Sequence, residues 1–313
     1  MKYIGLTTQK RRNNLRSLAL VFMFPLLVIA LTYGAIWALV VFGHGYADSQ
    51  AVNEMFAGTA PLVLGAVLLW FLIAYFINSS IIQNTMQAKP LERKQNMRVY
   101  NLVENLCMST GMKMPKVNVI EDPSLNAFAS GLSDKTYTVT LTRGIINTLN
   151  DQELEGVIAH ELAHIRNRDV RLLVISIVFV GIFAMVAQIG FRSLLWSGGG
   201  RRGGSNNGRS TALLYIVVIL VAIIGYFISI MMRFAISRKR EYLADAAAAE
   251  MTKNPHALAS ALRKISGRSN LQNKAPDDIA QLFIEHAPHK AAFSSLFATH
   301  PPIEKRIAVL EQF

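Results

Sequence analysis

Four stretches of the chain carry no charged residue: Leu18–Phe42, Ala60–Ile82, Leu172–Phe191 and Thr211–Met232, of 25, 23, 20 and 22 residues. A hydrocarbon core of ~30 Å takes about 20 helical residues to cross. A helix buried in a soluble protein keeps one apolar stripe, whereas these stretches are apolar all round. The pattern predicts four transmembrane helices. The first run is too long for a signal-peptide core and has no clear small-residue cleavage site after it, so it reads as a retained anchor. Pro25 and Gly34 within it are residues that membrane helices tolerate.

Between the apolar runs the periodicity changes. Residues 83–116 read as helix, with Val99, Leu102, Val103, Leu106 and Cys107 on one stripe and Gly111 as a stop. Three β-prone segments follow, at 116–121, 126–130 and 136–142, and predict a small sheet. Asn150 can cap the next helix, with Glu153 three residues on as in a capping box. No Gly or Pro interrupts Val157 to Val180, so that helix is expected to run on into the third apolar run. "SRKREYLADAAAAEM" after the fourth run reads as helix, and the tail from Pro255 to Phe313 as helices with loops at 267–276 and 286–302.

These segments divide the chain. A basic lead (1–17) precedes a two-helix anchor (18–82), and a first globular part (83–171) is separated by a transmembrane hairpin (172–232) from a second (233–313). The net charge of +12 suits nucleic acid in a soluble protein, but in a membrane protein Lys and Arg chiefly orient the chain, and no nucleic-acid partner is implied. Lys10, Arg11, Arg12 and Arg16 precede the first run, while the 43–59 loop holds Asp48 and Glu54 and no Lys or Arg. The N-terminus, 83–171 and 233–313 are therefore expected on the cytoplasmic side of the bilayer. The flexible Gly/Ser/Asn-rich loop 197–210, with Arg201, Arg202 and Arg209, points the other way. Cys107 is the one cysteine, which fits a reducing compartment and a small buried apolar role.

The candidate chemistry lies in "VIAHELAHIRNRD" (157–169). His160 and His164 are four apart, hence on one helix face, where two imidazole nitrogens can reach one ion at ~2.0–2.1 Å. Glu161 points beside that ion, where it can take a proton from an activated water. Such a site needs a third ligand, and Glu241 in R-x-x-E-x-x-x-D (Arg238, Glu241, Asp245) is the candidate. Asp245 lies one turn on and can accept a hydrogen bond from a ligand imidazole; Arg238 can pair with these acids, and Asp169 can serve as a second outer carboxylate or equally be a solvated acid ending the exposed part of the helix. His164 is eight residues before the third run and Glu241 nine after the fourth, distances of ~12 and ~13.5 Å along a helix. An antiparallel hairpin would bring both out on one side at matching heights.

Two more segments are candidates. His300 in "THPPIEKR" can donate to the oxyanion of a tetrahedral intermediate, with Arg306 in support, or be an ordinary turn histidine. "SLNAFASG" (124–131) can act as an edge strand that binds extended substrate through Ala127 and Phe128, with Asn126 reaching the scissile group or being a simple turn residue.

"NAFASG", "AHELAHIRNRD", "SRKREYLAD" and "THPPIEKR", in this order and spacing, resemble the HtpX-type membrane metalloproteases, relatives of the CAAX prenyl-proteases. Two N-terminal membrane helices and the hairpin between the second and third motifs are similar too. The resemblance implies one Zn2+ per chain on His160, His164 and Glu241, with Glu161 as base and with Asn126, His300 and Arg306 near substrate or transition state. It implies a multi-pass endopeptidase of a bacterial cytoplasmic membrane that degrades damaged membrane proteins. The expected fold is a mainly α membrane protein: four transmembrane helices carrying a cytoplasmic zincin-like α+β domain with a small sheet. The basic lead and the Gly/Arg loop depart from the family pattern. Two other readings stay open from the residues: a membrane adaptor with a structural zinc, and a basic surface that grips anionic lipid.

Overall fold

The computed structural model describes residues 6–44, 48–198, 216–228, 239–269, 282–284 and 301–313. The chain is mostly helical with one small mixed sheet. Its elements are α1 (Leu6–His44), α2 (Ser49–Thr85), β1 (Lys89–Pro90), α3 (Met97–Thr110), β2 (Lys116–Ile120), β3 (Ala127–Ser130), β4 (Thr138–Thr142) and α4 (Arg143–Thr148). They continue with α5 (Asp151–Asn167), α6 (Asp169–Gly198), α7 (Ile216–Ile228), α8 (Lys239–Thr252), α9 (Pro255–Ile265) and α10 (Ile303–Leu310). Two compact units form: 1–17 with 77–174 and 234–313, and 18–76 with 175–233.

The second unit is the apolar one. Among the described residues three helical segments are long and apolar enough to cross a membrane: Arg11–Val41, Ser49–Ile73 and Asp169–Ile189. The fourth apolar run is described only over α7. An aromatic cluster ties this unit together: the Phe24 ring stacks on Phe179 at 4.1 Å, and Phe71 meets both edge-on at 5.8 and 5.0 Å. Gly225 admits Phe183, since a Cβ there would fall 2.3 Å from the Phe183 ring. Large side chains such as Leu26, Leu62 and Phe76 stay exposed, as lipid-facing residues do.

The other unit is built around α5. Its capping box forms as expected: the Asn150 side chain accepts from Glu153 N–H, and the Glu153 carboxylate accepts from Asn150 N–H. Helices α3, α8 and α9 and strand β3 pack on α5. Leu154, Ile158 and Leu162 are fully buried, each stabilising by roughly 1.5–3 kcal/mol. Gly156 lets α9 approach, because a Cβ would lie 3.2 Å from the Leu258 backbone. Cys107 is buried as expected, and burial pushes its thiol up to about 11, which makes it unreactive.

Glu153 does more than cap. Its buried carboxylate also accepts from Ser260 Oγ and Lys264 Nζ, both at 2.7 Å, tying α5 to α9. Burial alone would raise its pKa, but Lys264, Ser260 and the Asn150 amide outweigh burial and hold it below the ordinary value. Its contribution is therefore present above the unfolded carboxylate value of ~4.3 and lost as pH falls through the lower folded value. Glu153→Gln is expected to destabilise by about 1–2 kcal/mol at pH 7. Melting in detergent from pH 7 down to pH 3 should show the gap from wild type closing with acid; a constant gap would refute the assignment.

The sheet order is β1-β2-β4-β3, with β2 and β4 parallel and the outer pairs antiparallel. All residues of β3 and β4 are buried, so both faces are covered there. Two sequence expectations are corrected. Residues 83–116 are not one helix: α2 ends at Thr85, Gln87 turns with φ 51°, and Lys89–Pro90 adds a fourth, edge strand before α3 begins. Proline suits an edge because it lacks a ladder donor.

Nor does the motif helix run into the third apolar run. It stops at Asn167; Arg168 is left-handed (φ 62°, ψ 24°), and its N–H bonds back to the His164 and Ile165 carbonyls. Asp169 then opens α6, where its charge suits a helix N-terminus. The ~12 Å rise reckoned along one helix therefore does not measure the height of His164.

Candidate metal centre

Helix α5 carries His160, Glu161 and His164, and α8 carries Glu241 and Asp245 one turn apart. These helices pack on each other, so five polar side chains converge inside the unit. His160, Glu161, Glu241 and Asp245 are each at most 2% exposed, which rules out an ordinary solvated helix face. Buried charge at this density persists only when paired or when it coordinates an ion.

The two ligand candidates on α5 face each other, His160 Nε2 lying 3.2 Å from His164 Nε2. Glu241 Oε2 is 3.6 Å from the first and Oε1 3.7 Å from the second. The three ligand atoms lie within 4.8 Å of one another. Metal–nitrogen bonds of 2.0–2.1 Å at a tetrahedral angle set two nitrogens roughly 3.3 Å apart, so this set fits one small cation with room for a fourth ligand.

The far sides of both imidazoles fix their tautomers. His160 Nδ1 is 2.9 Å from Asp245 Oδ1, and His164 Nδ1 is 3.2 Å from Asp169 Oδ2. With Nδ1–H donated to a carboxylate, each Nε2 lone pair is free to face the common point. Asp245 is itself held: Arg306 Nε and Nη2 bond its two oxygens at 2.9 and 2.7 Å, and Nη1 donates to the Ile284 carbonyl at 3.1 Å. Arg306 is 1% exposed and its Nη2 lies 3.3–3.4 Å from the His160 ring nitrogens.

The charge balance calls for a cation. Four buried carboxylates (Glu161, Asp169, Glu241, Asp245) stand against two buried guanidiniums, Arg306 and Arg240, a deficit of two positive charges. Burial opposes a charge on His164, but Glu241 and Asp169 outweigh it and lift its pKa to about 10. Burial and Arg306 oppose protonation of His160, yet Asp245 and Glu241 raise its pKa as well. Burial would raise Asp245, whereas Arg306 and His160 hold it at about 2. Two protons on the imidazoles or one divalent ion supply the same missing charge.

A small cleft opens on this centre, lined by Ala129, Glu161, His164, Asp169, Glu241 and Arg240 among others. Sequence reasoning misses Arg240, which fills a variable position of the R-x-x-E-x-x-x-D pattern just before Glu241 yet lines the cleft. Ala129 belongs to β3, an outer strand of the sheet, so the strand proposed to bind substrate does border the cleft. Asn126 is 1% exposed, and its amide donates to the Ser269 carbonyl at 2.9 Å. At Ala127 and Phe128 the edge of β3 meets the chain's own residues: Ile284 N–H donates to the Ala127 carbonyl at 2.9 Å, and Phe128 bridges to Phe283. His300 and Arg238 lie outside the described residues.

The sequence profile of peptidase family M48 matches residues 93–313. A Protease HtpX homolog of Bacteroides fragilis (strain ATCC 25285) is 59% identical over 323 residues, covering all of both chains. Protease HtpX homologs of Streptococcus pyogenes serotype M28 and Ligilactobacillus salivarius are 38% and 35% identical, covering 91% and 83% of this chain and 95% and 90% of theirs. Among solved structures, the crystal structure of S. mikatae Ste24p is similar with a TM-score of 0.45 and 19% identity, over 98% of this chain and 66% of that one.

Proposed function

The chain belongs to peptidase family M48 and is a membrane metalloendopeptidase, and on that premise we propose that its working metal is one zinc ion on His160, His164 and Glu241. The observation that carries the proposal is the pair of imidazoles whose Nε2 atoms meet at 3.2 Å while each Nδ1 faces a buried carboxylate. Two histidines and one glutamate favour zinc over harder cations and leave a position open for chemistry. When bound, zinc would supply Lewis acidity, lowering the pKa of a water toward ~7 and polarising the scissile carbonyl.

The remaining steps belong to the chain. Glu161, in the cleft beside His164 and Glu241, takes the proton of the attacking water and passes it to the leaving amine. Asp245 and Asp169 hold the imidazoles in one tautomer and orientation. Arg306 acts behind Asp245 as a positioning residue; three of its five N–H groups go to Asp245 and the Ile284 carbonyl. Extended substrate adds to the β3 edge that borders the cleft, where Phe283 and Ile284 already engage Ala127 and Phe128 and would have to be matched or displaced. His300 is retained as an oxyanion donor and Arg238 as a partner of the acids on α8.

Substrates are membrane proteins, misfolded or damaged ones in particular, met in a bacterial cytoplasmic membrane. Four crossings and the basic lead set the catalytic parts, 83–171 and 233–313, on the cytoplasmic side. The adaptor reading does not fit a peptidase with an intact Glu161, and lipid binding by the basic lead can accompany proteolysis.

The test is zinc content together with cleavage of a denatured membrane protein in detergent. Glu241→Ala is expected to lose zinc on dialysis, while Glu250→Ala, on the exposed face of the same helix, keeps it. Equal zinc in Glu241→Ala and wild type would remove Glu241 as a ligand.

A further inference from the structure

Asn13 stands in the basic lead that precedes the first apolar run, between exposed Arg12 and exposed Leu15 and Arg16. Yet Asn13 is 2% exposed. A buried amide is costly unless its donors are used, and here both are: Nδ2 donates to the Asn167 carbonyl at 2.9 Å and to Asp169 Oδ1 at 2.6 Å. The first acceptor is at the end of α5, where the left-handed Arg168 stops the helix and leaves carbonyls without helical partners. The second is the carboxylate whose other oxygen faces His164 Nδ1. Asn14 adds a tether, accepting from Arg168 Nη1 at 2.9 Å.

The two imidazoles are thus supported alike. Behind His160 stands Asp245, gripped by Arg306; behind His164 stands Asp169, gripped by Asn13. A carboxylate fixed through one oxygen cannot swing the other away from its histidine. We propose that Asn13 is a positioning residue for the metal centre, acting through Asp169 on His164, so that the amino-terminal lead forms part of the active site as well as orienting the chain. The inference rests on the reading of His164 as a metal ligand.

The test uses the full-length chain, purified in detergent and loaded with zinc or cobalt. Outer partners of a ligand are worth about 10–100-fold in metal affinity. Asp169→Asn is expected to speed zinc transfer to a chelator by roughly that factor, and Asn13→Ala, one bond further out, by about 3–10-fold. The cobalt d–d bands, which report ligand geometry, should shift in Asn13→Ala and stay unchanged in Arg12→Ala. In the Asp169→Asn background Asn13→Ala should add nothing further. Zinc release and cobalt bands in Asn13→Ala like those of wild type would overturn the proposal, as would a full additional effect in the double variant. If Asn13→Ala does not accumulate as folded protein, Asn13→Ser keeps a shorter donor in place and should give an intermediate release rate; a wild-type rate would count against the proposal. His164→Ala separates the two levels: zinc retained there overturns the ligand reading itself, whereas zinc lost there with Asn13→Ala unaltered overturns only the role of Asn13.

Discussion

Glu161→Gln is expected to keep a full complement of metal and to lose cleavage by about 10²–10⁴-fold, the usual worth of a positioned general base. The reasoning is geometric. Glu161 is next to His160 on α5, and the atoms that converge for a metal come from His160, His164 and Glu241. The glutamine is nearly isosteric, so it leaves the packing of α5 intact, and it removes one buried negative charge from a cluster in which carboxylates outnumber guanidinium groups. Stability of the loaded protein should therefore hold or rise. The readout is single-turnover cleavage of a denatured membrane substrate, with zinc measured on the same preparation. Cleavage at the wild-type rate by a zinc-loaded variant would show that another group takes the proton; loss of zinc along with activity would show that Glu161 is a ligand.

The legible part of this centre is the part written in local spacing. His160 and His164 share a helix face because residues four apart must, and Asp245 follows Glu241 by the same rule. The capping box at Asn150 and Glu153 and the stop at Gly111 are equally local, and both form. What local spacing does not carry is tertiary pairing. R-x-x-E-x-x-x-D suggests a helix-surface pairing for the acids of α8 and gives no sign that Arg306, 61 residues after Asp245, bonds it as well. The end of α5 is hidden for a related reason. Arg168 has no intrinsic preference for a left-handed turn. It is held there by bonds back to His164 and Ile165 and by Asn13 and Asn14 from α1, a segment more than 150 residues away in sequence. Strand β1 is two residues long and has no period to detect.

Arg306 gives the second large effect, and its position sets the form that effect takes. A residue that touched substrate would, on removal, change KM or kcat and leave the metal and the fold alone. Arg306 instead neutralises a fully buried carboxylate that in turn orients His160. Breaking a buried pair from one side costs about 3–5 kcal/mol, because the surviving charge is left in a medium that cannot solvate it. Arg306→Ala is therefore expected to lower the melting temperature of the metal-free protein and to weaken zinc binding by about 10–100-fold. Arg306→Lys should fall between, since an ammonium is one point of charge and cannot meet both Asp245 oxygens and the Ile284 carbonyl together. Adding Asp245→Asn to Arg306→Ala removes the stranded charge and should recover part of the melting temperature while zinc stays weakly held. Melting with and without zinc, beside a zinc titration, decides the matter. An Arg306→Ala protein that melts and binds zinc like wild type, and fails only in turnover, would return Arg306 to the substrate side of the cleft.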